Sequence, residues 1–543
     1  RCGRTGPGHC YRLYSSAMFN DTFAPHIAPE ILQRPIEDLF LNMKAMYIER
    51  VQTFPFPTSP SKPDMMQAFR TLQCLGALKT PTVDPAVARD DDVESAITDL
   101  GKRMALFPVS PRFSKMMLLG SQQNLLPYAI ALVAALSVQA PFLSRVDLKA
   151  HEKTSADDEQ QLIVDDEDSG RRLWRHSESD ALAMLRVVGA YSHATDAANR
   201  PRHVKYKEAG KTFCKEYALH ARTMAEIQLL RKQLGGIVKR TTEAAGEDFN
   251  MSISRSLVLP PPTPVQEALL LQVVGAGFID RVARLCPEGT FQPPDVILED
   301  PQAARQFRRR IKCAYQSCDP KLARKPLWIH PSSSVAAKDF RRLPQYIVYQ
   351  EIVETSRPYM TRVTAISEKH IARLSQGTPL CTFSLPMDAP LPVYDKKREQ
   401  VCGTSKPYFG PHRWALTPNV VPIADMSAIH GRGTSVTDDI FELETRWFAR
   451  LLLEGNVTAR EDFKALSSAL TNRPTIFTHS RFNSFGQAVT QAFMASNVVS
   501  LPSLKQALEK QPRLLTSVLQ NFSRDKAMVL EAWEKCKAGI LAR

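Results

Sequence analysis

The chain has 543 residues, too many for one hydrophobic core, so we expect two to four domains. Its 43% hydrophobic and 23% charged residues are typical of a globular protein and exclude a disordered or fibrous chain. The net charge of +14 favours an anionic partner, and ten cysteines without metal-ligand spacing predict reduced thiols, no metal site, and a location in the cytosol or nucleus.

The first 14 residues are predicted to form a basic loop. Arg1 and Arg4 flank a cysteine and a glycine, and a Pro-Gly pair follows at Pro7. Arginines on a glycine-kinked loop present planar, permanently charged groups that suit phosphate binding. The residues alone leave open whether this is a phosphate-contacting loop or a solvated basic tail. Because the chain has no initiator Met, we expect it to be part of a longer protein.

Residues 29–108 are predicted to form a winged helix. Apolar residues recur at helical spacing over positions 36–46, and the prolines of residues 54–61 end that helix. A second helix is predicted over 63–75, and a third follows an acidic turn at 90–92. Winged helices bind DNA, RNA or proteins, so this unit leaves function open.

Residues 109–264 are predicted to form a helical bundle. A helical stretch covers residues 110–137, and its apolar run is shorter than the ~20 residues of a membrane span, so we expect a buried helix and no membrane partner. An insert at 147–170 carries nine acidic residues against two lysines. Helical spacing resumes after the insert and ends at the prolines of 260–264.

Residues 265–375 are predicted to form a small β-barrel of the OB type after one more helix. Short runs of aromatic and β-branched residues at 327–330, 346–353 and 362–366 indicate strands, and a barrel of this kind binds single-stranded nucleic acid on its face. The C-terminal extension, 376–543, is predicted to begin with an irregular Pro-rich segment and to end in helices.

The order of these units resembles the C-terminal part of DEAH-box ATP-dependent RNA helicases. The residues that carry the resemblance are Arg1-Cys2-Gly3-Arg4 with the Pro-Gly-x-Cys-Tyr-Arg-Leu-Tyr that follows (end of motif VI), Phe54-Pro55-Phe56-Pro57 (winged helix), Leu100-Gly101 with Phe107-Pro108 (ratchet junction), and Ile329-His330-Pro331-Ser332-Ser333 with Tyr359-Met360 (OB-fold). The resemblance implies a mixed, mostly α fold: the tail of a RecA-like α/β domain at 1–28, then winged helix, helical ratchet bundle, OB-fold barrel and a family-specific extension.

The resemblance also implies roles for individual residues. Arg1 and Arg4 match the arginines that reach the γ-phosphate of ATP at the interface of two RecA-like domains, where Mg²⁺ is also bound. The other units imply a tunnel for single-stranded RNA, whose candidate contacts are Ser332, Ser333, Arg357, Tyr359 and Arg362. Alternatives to an RNA-binding role stay open: Tyr359 could be part of the barrel core, and the arginines could be solvated side chains.

Most of the motor is expected to lie outside this chain. A phosphate loop needs Gly-x4-Gly-Lys-Ser/Thr, and the single Gly-Lys-Thr, at Gly210-Lys211-Thr212, has Lys205 where the motif requires a glycine. We therefore predict a plain helix there. Without a phosphate loop and an Asp-Glu-Ala-His box, this chain alone should bind no ATP or Mg²⁺ and should be inactive.

Two further surfaces have alternative interpretations. Arg308-Arg309-Arg310 with Lys312 is either an RNA-binding patch or a solvated helix face. The apolar residues Leu39, Met43 and Met46 either pack as winged-helix core or receive a glycine-rich activator protein. Trp447 and Phe448 are predicted to pack the C-terminal unit.

The extension resembles that of the nucleolar family member that acts in small ribosomal subunit biogenesis. This resemblance implies pre-rRNA and small nucleolar RNA as substrates and a location in the nucleus and nucleolus. Two alternatives remain: a non-catalytic RNA-binding scaffold that has lost the motor, and a spliceosomal DEAH-box helicase.

Overall fold

A computed structural model describes residues 6–7, 9, 11–23, 29–79, 95–143, 173–245, 257–287, 289–292, 301–337, 339–355, 357–387, 389–424, 426, 433–458, 460–478, 484–523 and 525–541. Arg1 and Arg4, the acidic turn at 90–92 and the acidic insert at 147–170 lie outside these residues. In the predicted tail of the RecA-like domain, the described residues include a short π-helical segment, Met18–Thr22.

The unit that follows contains four helices, α1 Glu30–Gln33, α2 Glu37–Ala45, α3 Lys62–Cys74 and α4 Asp99–Met104. The Thr98 hydroxyl accepts a hydrogen bond from the Gly101 backbone amide at 2.9 Å and thereby caps α4. Met43 is buried, as predicted for winged-helix core. Leu39 and Met46 are 36% and 71% exposed, so the core prediction is wrong for these two residues.

The bundle contains five helices in its described part, α5 Pro111–Gln122, α6 Leu126–Leu136, α7 Asp180–Thr195, α8 Tyr206–Glu216 and α9 Ala221–Ala245. The single helical stretch predicted over 110–137 is two helices. They are separated at Asn124, whose φ of 58° is left-handed and ends the first helix. Nearly all of α6 is buried, in agreement with the prediction of a buried helix, and no described helix is long and apolar enough to span a membrane.

Helix α10 (Pro264–Gly277) and the 3-10 turn Ile279–Arg281 lead into seven short strands. The strands are β1 Val282–Leu285, β2 Tyr315–Ser317, β3 Trp328–Ile329, β4 Tyr346–Val348, β5 Glu351–Glu354, β6 Pro358–Thr361 and β7 Thr364–Ala365. Helix α11 (Pro301–Ile311) lies between β1 and β2, and the 3-10 turn Phe340–Arg342 precedes β4.

These strands form two short sheets, with orders β2-β1-β4-β7 and β3-β6-β5. Strands β4 and β5 are consecutive in the chain, as are β6 and β7, and an isolated bridge between Tyr315 and Leu327 joins β2 to the start of β3. If β4–β5 and β6–β7 are each counted as one strand, the chain follows the path of a five-stranded barrel in which β3 and β6 are parallel. The hydrogen bonding is divided between two sheets and does not form one continuous barrel.

The extension differs from the prediction in its first part. Helix α12 (Glu368–Ser375) precedes the extension. Residues 376–440, predicted to be irregular, contain the strands β8 Cys381–Phe383, β9 Val393–Asp395, β10 Gln400–Ser405, β11 Pro407–Phe409, β12 Trp414–Ala415 and β13 Asn419–Pro422. All their pairings are antiparallel. The prolines misled the prediction because they lie mainly between strands or at strand ends, where no ladder amide is needed.

Helices complete the described chain: α13 Gly433–Leu453, α14 Arg460–Ala469, α15 Ser484–Ala495, α16 Leu501–Lys510, α17 Thr516–Asn521 and α18 Lys526–Leu541, with a 3-10 turn at Pro474–Thr478. Trp447 and Phe448 are buried, which confirms their predicted packing role. One apolar core joins the first unit, the bundle and part of the barrel, and a second core fills the extension. A third, small core lies within the barrel.

Candidate nucleic-acid interface

The three-stranded sheet β3-β6-β5 exposes an aromatic face. Trp328 lies opposite Tyr359 in the parallel pair, and Tyr359 lies opposite Val353 in the antiparallel pair, so the three side chains share one face. The next residues along the strands point the other way: Met360 is fully buried, and Ile329 packs against the same small core. The alternation therefore leaves Trp328 and Tyr359 partly exposed.

Cationic and imidazole groups flank this face. The Arg357 guanidinium lies 5.2 Å from the centre of the Trp328 ring. At the other end, the His330 ring meets the Tyr359 ring edge-on, with centroids 5.6 Å apart and planes at 79°. Flat aromatic surfaces beside a cation suit unpaired bases, because each base can stack while the arginine contacts phosphate.

A tight turn after β3 presents two serines. The backbone amide of Ser332 donates to Nδ1 of His330 at 3.2 Å, so that nitrogen is an acceptor and the Ser332 hydroxyl, 2.7 Å away, donates to it as well. The Ser333 backbone amide donates to the His330 carbonyl at 2.9 Å. Ser332 is exposed, whereas Ser333 is buried.

Asp180, the first residue of α7, holds this turn against the bundle. Its carboxylate accepts hydrogen bonds from the Ser333 hydroxyl at 2.7 Å, the Ser334 amide at 2.6 Å and the Val363 amide at 2.8 Å. Burial raises the pKa of Asp180 although these three bonds favour its charged form. One carboxylate of the bundle therefore orients two separate loops of the barrel.

Arg362 connects the barrel to the end of α6. Its two terminal nitrogens donate to the carbonyl oxygens of Leu136 and Val138 at 2.6 and 2.7 Å. These carbonyls have no partner within the helix, so the guanidinium satisfies them and complements the negative end of the helix dipole. The φ of Arg362 is 53°, a left-handed conformation that aims the side chain toward α6.

A cleft of about 300 Å³ lies between bundle and barrel where these groups meet. The polar residues lining it include Arg175, Asp180, His330, Ser332, Ser333, Glu351, Thr361 and Arg362. Arg175 donates to the Ser333 carbonyl at 3.4 Å. Glu351 and Thr361 pair across β5 and β6 two positions along from Val353 and Tyr359, so the two pairs share one face of the sheet. The cleft therefore continues the aromatic face.

The structure divides the five predicted RNA contacts between two places. Ser332, Ser333 and Arg362 line the cleft, whereas Tyr359 and Arg357 lie along the aromatic face. Ser332, Ser333 and Arg362 also have protein partners, and the contacts of all five residues with RNA stay predictions. Arg1 and Arg4, the predicted catalytic residues, lie outside the described residues.

Sequence reasoning did not select Trp328, Arg175 or Asp180. Trp328 carried a usable signal, an aromatic residue two positions before His330 in a predicted strand. Asp180 looked like an ordinary residue of a helix N-terminus. Its contacts with Ser333 and Val363 span more than 150 positions, so no local pattern could identify them.

The Gly210-Lys211-Thr212 sequence lies within α8, which confirms the prediction of a plain helix. A Cβ on Gly210 would come within 2.4 Å of the Tyr191 hydroxyl oxygen, so helix packing explains the glycine. Helical amides are used by the helix itself and cannot wrap a phosphate. The Gly-Lys-Thr sequence is therefore not a phosphate loop. Among the described residues, no cluster of His, Cys, Asp and Glu could hold a metal ion.

Three family models match consecutive parts of the chain. Residues 68–109 match the winged-helix part of the helicase-associated domain, and residues 110–184 match its ratchet-like part. Residues 270–378 match an oligonucleotide/oligosaccharide-binding fold. These matches confirm the predicted fold class and fall on the units that form the cleft.

Several curated proteins are similar to this chain. A putative ATP-dependent RNA helicase of Schizosaccharomyces pombe is 35% identical over 415 residues, which cover 72% of this chain and 30% of that protein. Probable ATP-dependent RNA helicase DHX37 of Homo sapiens is 32% identical over 526 residues, which cover 95% of this chain and 40% of that protein. ATP-dependent RNA helicase DEAH13 of Arabidopsis thaliana is 30% identical over 559 residues, which cover 97% of this chain and 39% of that protein. The chain thus spans 30–40% of the length of these relatives.

Proposed function

Because this chain belongs to the DEAH-box RNA helicase family, whose helicase-associated C-terminal domains it spans, we propose that it is the RNA-holding module of an ATP-dependent RNA helicase. The similar proteins are named ATP-dependent RNA helicases, which supports this activity for the intact protein. The module binds single-stranded RNA while the motor domains, in the rest of the protein, hydrolyse ATP.

The observation that carries this proposal is the aromatic face that continues into the cleft. Trp328 and Tyr359 offer stacking surfaces for successive bases, and the strand then passes His330 and enters the cleft. There the exposed Ser332 hydroxyl would donate to a phosphate oxygen in place of Nδ1 of His330. Stacking and phosphate contacts read no sequence, as a helicase that moves along RNA requires.

ATP and Mg²⁺ belong to the motor of the intact protein. By resemblance, Arg1 and Arg4 would stabilise the charge that develops on the γ-phosphate during its transfer.

We further propose a role in small ribosomal subunit biogenesis. The substrates would be pre-rRNA paired with small nucleolar RNA, the location the nucleolus, and the activator a glycine-rich protein. The support is the C-terminal extension, which the similarity to the human relative includes because it covers 95% of the chain. RNA crosslinked to the intact protein in cells should be pre-rRNA. Recovery of introns would favour the spliceosomal alternative, and an intact protein without ATPase activity would favour the scaffold.

Single-strand binding is tested with Trp328→Ala, measured by fluorescence anisotropy with a short uridine oligonucleotide. Loss of one base–aromatic stack costs about 1–3 kcal/mol, so the Kd should rise about tenfold. Trp328→Phe should retain most of the affinity. Tyr408→Ala is the matched control, since Tyr408 also carries an arginine 5.2 Å from its ring centre but lies on β11 in the extension. Equal losses in Trp328→Ala and Tyr408→Ala would refute the proposed path.

A further inference from the structure

Helix α11 carries a stripe of positive charge. Arg305, Arg308, Arg309 and Lys312 recur at the spacing of one helix face, with Lys312 directly after the last helical residue. All four are exposed, whereas Ala304 and Ile311 are buried on the adjoining face. Neighbours at this spacing have Cβ atoms about 5–6 Å apart, close to the separation of successive phosphates along a strand.

The stripe is poorly explained as a stabilising feature. Helix α11 contains no acidic residue, and within the described part of the chain Arg305, Arg308 and Arg309 form no ion pair with a carboxylate. Like charges at three- and four-residue spacing destabilise a helix. The negative end of the helix dipole favours cations in the last turn, where Arg308 and Arg309 lie, but it does not extend to Arg305. We therefore attribute the row as a whole to an anionic ligand.

The charge continues beyond the helix onto the 3-10 turn before β4, where two cations flank one aromatic ring. The ring of Phe340 is 38% exposed, with the Lys312 ammonium 5.6 Å and the Arg341 guanidinium 5.9 Å from its centre. Arg342, the next residue, is exposed as well. Asp339 is also at this turn, where it accepts a hydrogen bond from the Arg341 amide at 3.0 Å and caps the turn. We name Arg305, Arg308, Arg309, Lys312, Arg341 and Arg342 the α11 surface.

The α11 surface adjoins the end of the aromatic face. The indole nitrogen of Trp328 donates to the Arg310 carbonyl at 3.3 Å, and Arg357 lies over the same indole. An RNA strand that leaves the aromatic face at Trp328 would therefore meet the α11 surface. The two surfaces differ in shape: a helix is convex and presents cations, whereas the sheet presents flat rings.

We propose that the α11 surface binds the phosphate backbone of double-stranded RNA that continues from the single strand on the aromatic face. A convex row of arginines cannot enclose unstacked bases, but it can lie along the phosphates that border the wide, shallow minor groove of an RNA duplex. Contacts of this kind position the duplex without reading its sequence. The proposal rests on the proposed function for the choice of RNA, and its test is separable from that of the single-strand path.

The test compares Arg308→Gln/Arg309→Gln with Arg513→Gln/Lys526→Gln, an exposed pair in the extension that removes the same charge. Affinities are measured for a blunt RNA duplex and for a single strand at several salt concentrations. The α11 variant should lose about tenfold in duplex affinity, and the slope of log affinity against log salt should fall by about 0.9 per lost phosphate contact. The control variant and the single-strand affinity should change by less than about twofold.

Other results would overturn the proposal. Equal losses for duplex and single strand would assign these arginines to the single-strand path, and equal losses in the control would indicate only non-specific attraction. If duplex binding persists while a polyglutamate chain no longer binds, the α11 surface recognises an acidic protein. If Trp328→Ala did not weaken single-strand binding, the aromatic path would be refuted. The comparison of duplex affinities would still test the α11 surface on its own.

Discussion

Removal of the Arg112 charge is expected to loosen the junction between the bundle and the start of the barrel. Arg112 lies in the first turn of α5, and its guanidinium grips the Asp280 carboxylate with two nitrogens; the Nη2–Oδ2 distance is 2.7 Å. The side chains are only 12% and 13% exposed. Arg112 also donates to the Gly277 carbonyl at the end of α10. The pair therefore ties two helices that are distant in sequence.

The expected loss of stability follows from the charged groups that each substitution leaves buried without a partner. Arg112→Met leaves the Asp280 carboxylate buried without its main partner, a change that typically costs about 3–5 kcal/mol. Arg281 and Lys115 also attract the Asp280 charge, so we expect the lower end, about 3 kcal/mol. Arg112→Met/Asp280→Leu removes both charges and should recover most of the loss, because an apolar pair of similar volume avoids the desolvation penalty.

Hydrogen exchange read by mass spectrometry is the suitable assay, because a chain with several apolar cores need not unfold in one step. Amides of α5 and α10 should exchange faster in Arg112→Met, and those of α18, in the core of the extension, should not change. Burial opposes ionisation of Asp280, but the Arg112 charge and hydrogen bonds outweigh it and lower the pKa. The stabilisation should therefore persist above the unfolded pKa of about 3.9 and disappear as pH falls below it. A single variant that costs under about 1 kcal/mol, or a double variant as unstable as the single, would refute this reasoning.

Two further predictions concern buried charges. Burial lowers the pKa of Lys115 to about 8, so Lys115→Met should be more stable than the unmodified chain at pH 7. Thermal unfolding should show this difference in stability shrinking as pH rises above about 8 and vanishing only above about 10.4, where the lysine of the unfolded chain is also neutral. An unchanged difference would contradict this. Asp180→Ala deprives the Ser334 and Val363 amides of their acceptor, which costs about 1–3 kcal/mol for each group left unpaired, and their exchange should accelerate. Protection equal to that of the unmodified chain would show that Asp180 does not hold these loops.

The helices were the most predictable part of the fold. The apolar run that became α6 and the proline-started α10 were recognisable because burial and capping leave local patterns. The break at Asn124 and the strands of residues 381–422 were missed for the converse reason. A left-handed residue that is not a glycine gives no clear signal of a helix end in the sequence. Strands interrupted by prolines look like irregular segments when only neighbours in sequence are considered.

For the candidate site, local sequence patterns were enough to predict the types of unit, the serine turn after β3 and the aromatic and basic residues near it. Which of these residues act together depends on long-range contacts. The parallel pairing of β3 with β6 put Trp328 beside Tyr359, and the contacts of Asp180 and Arg362 with distant loops and helix ends built the cleft. A local sequence pattern reflects how a segment buries its own apolar face. Contacts between separate segments depend instead on which folded surfaces meet.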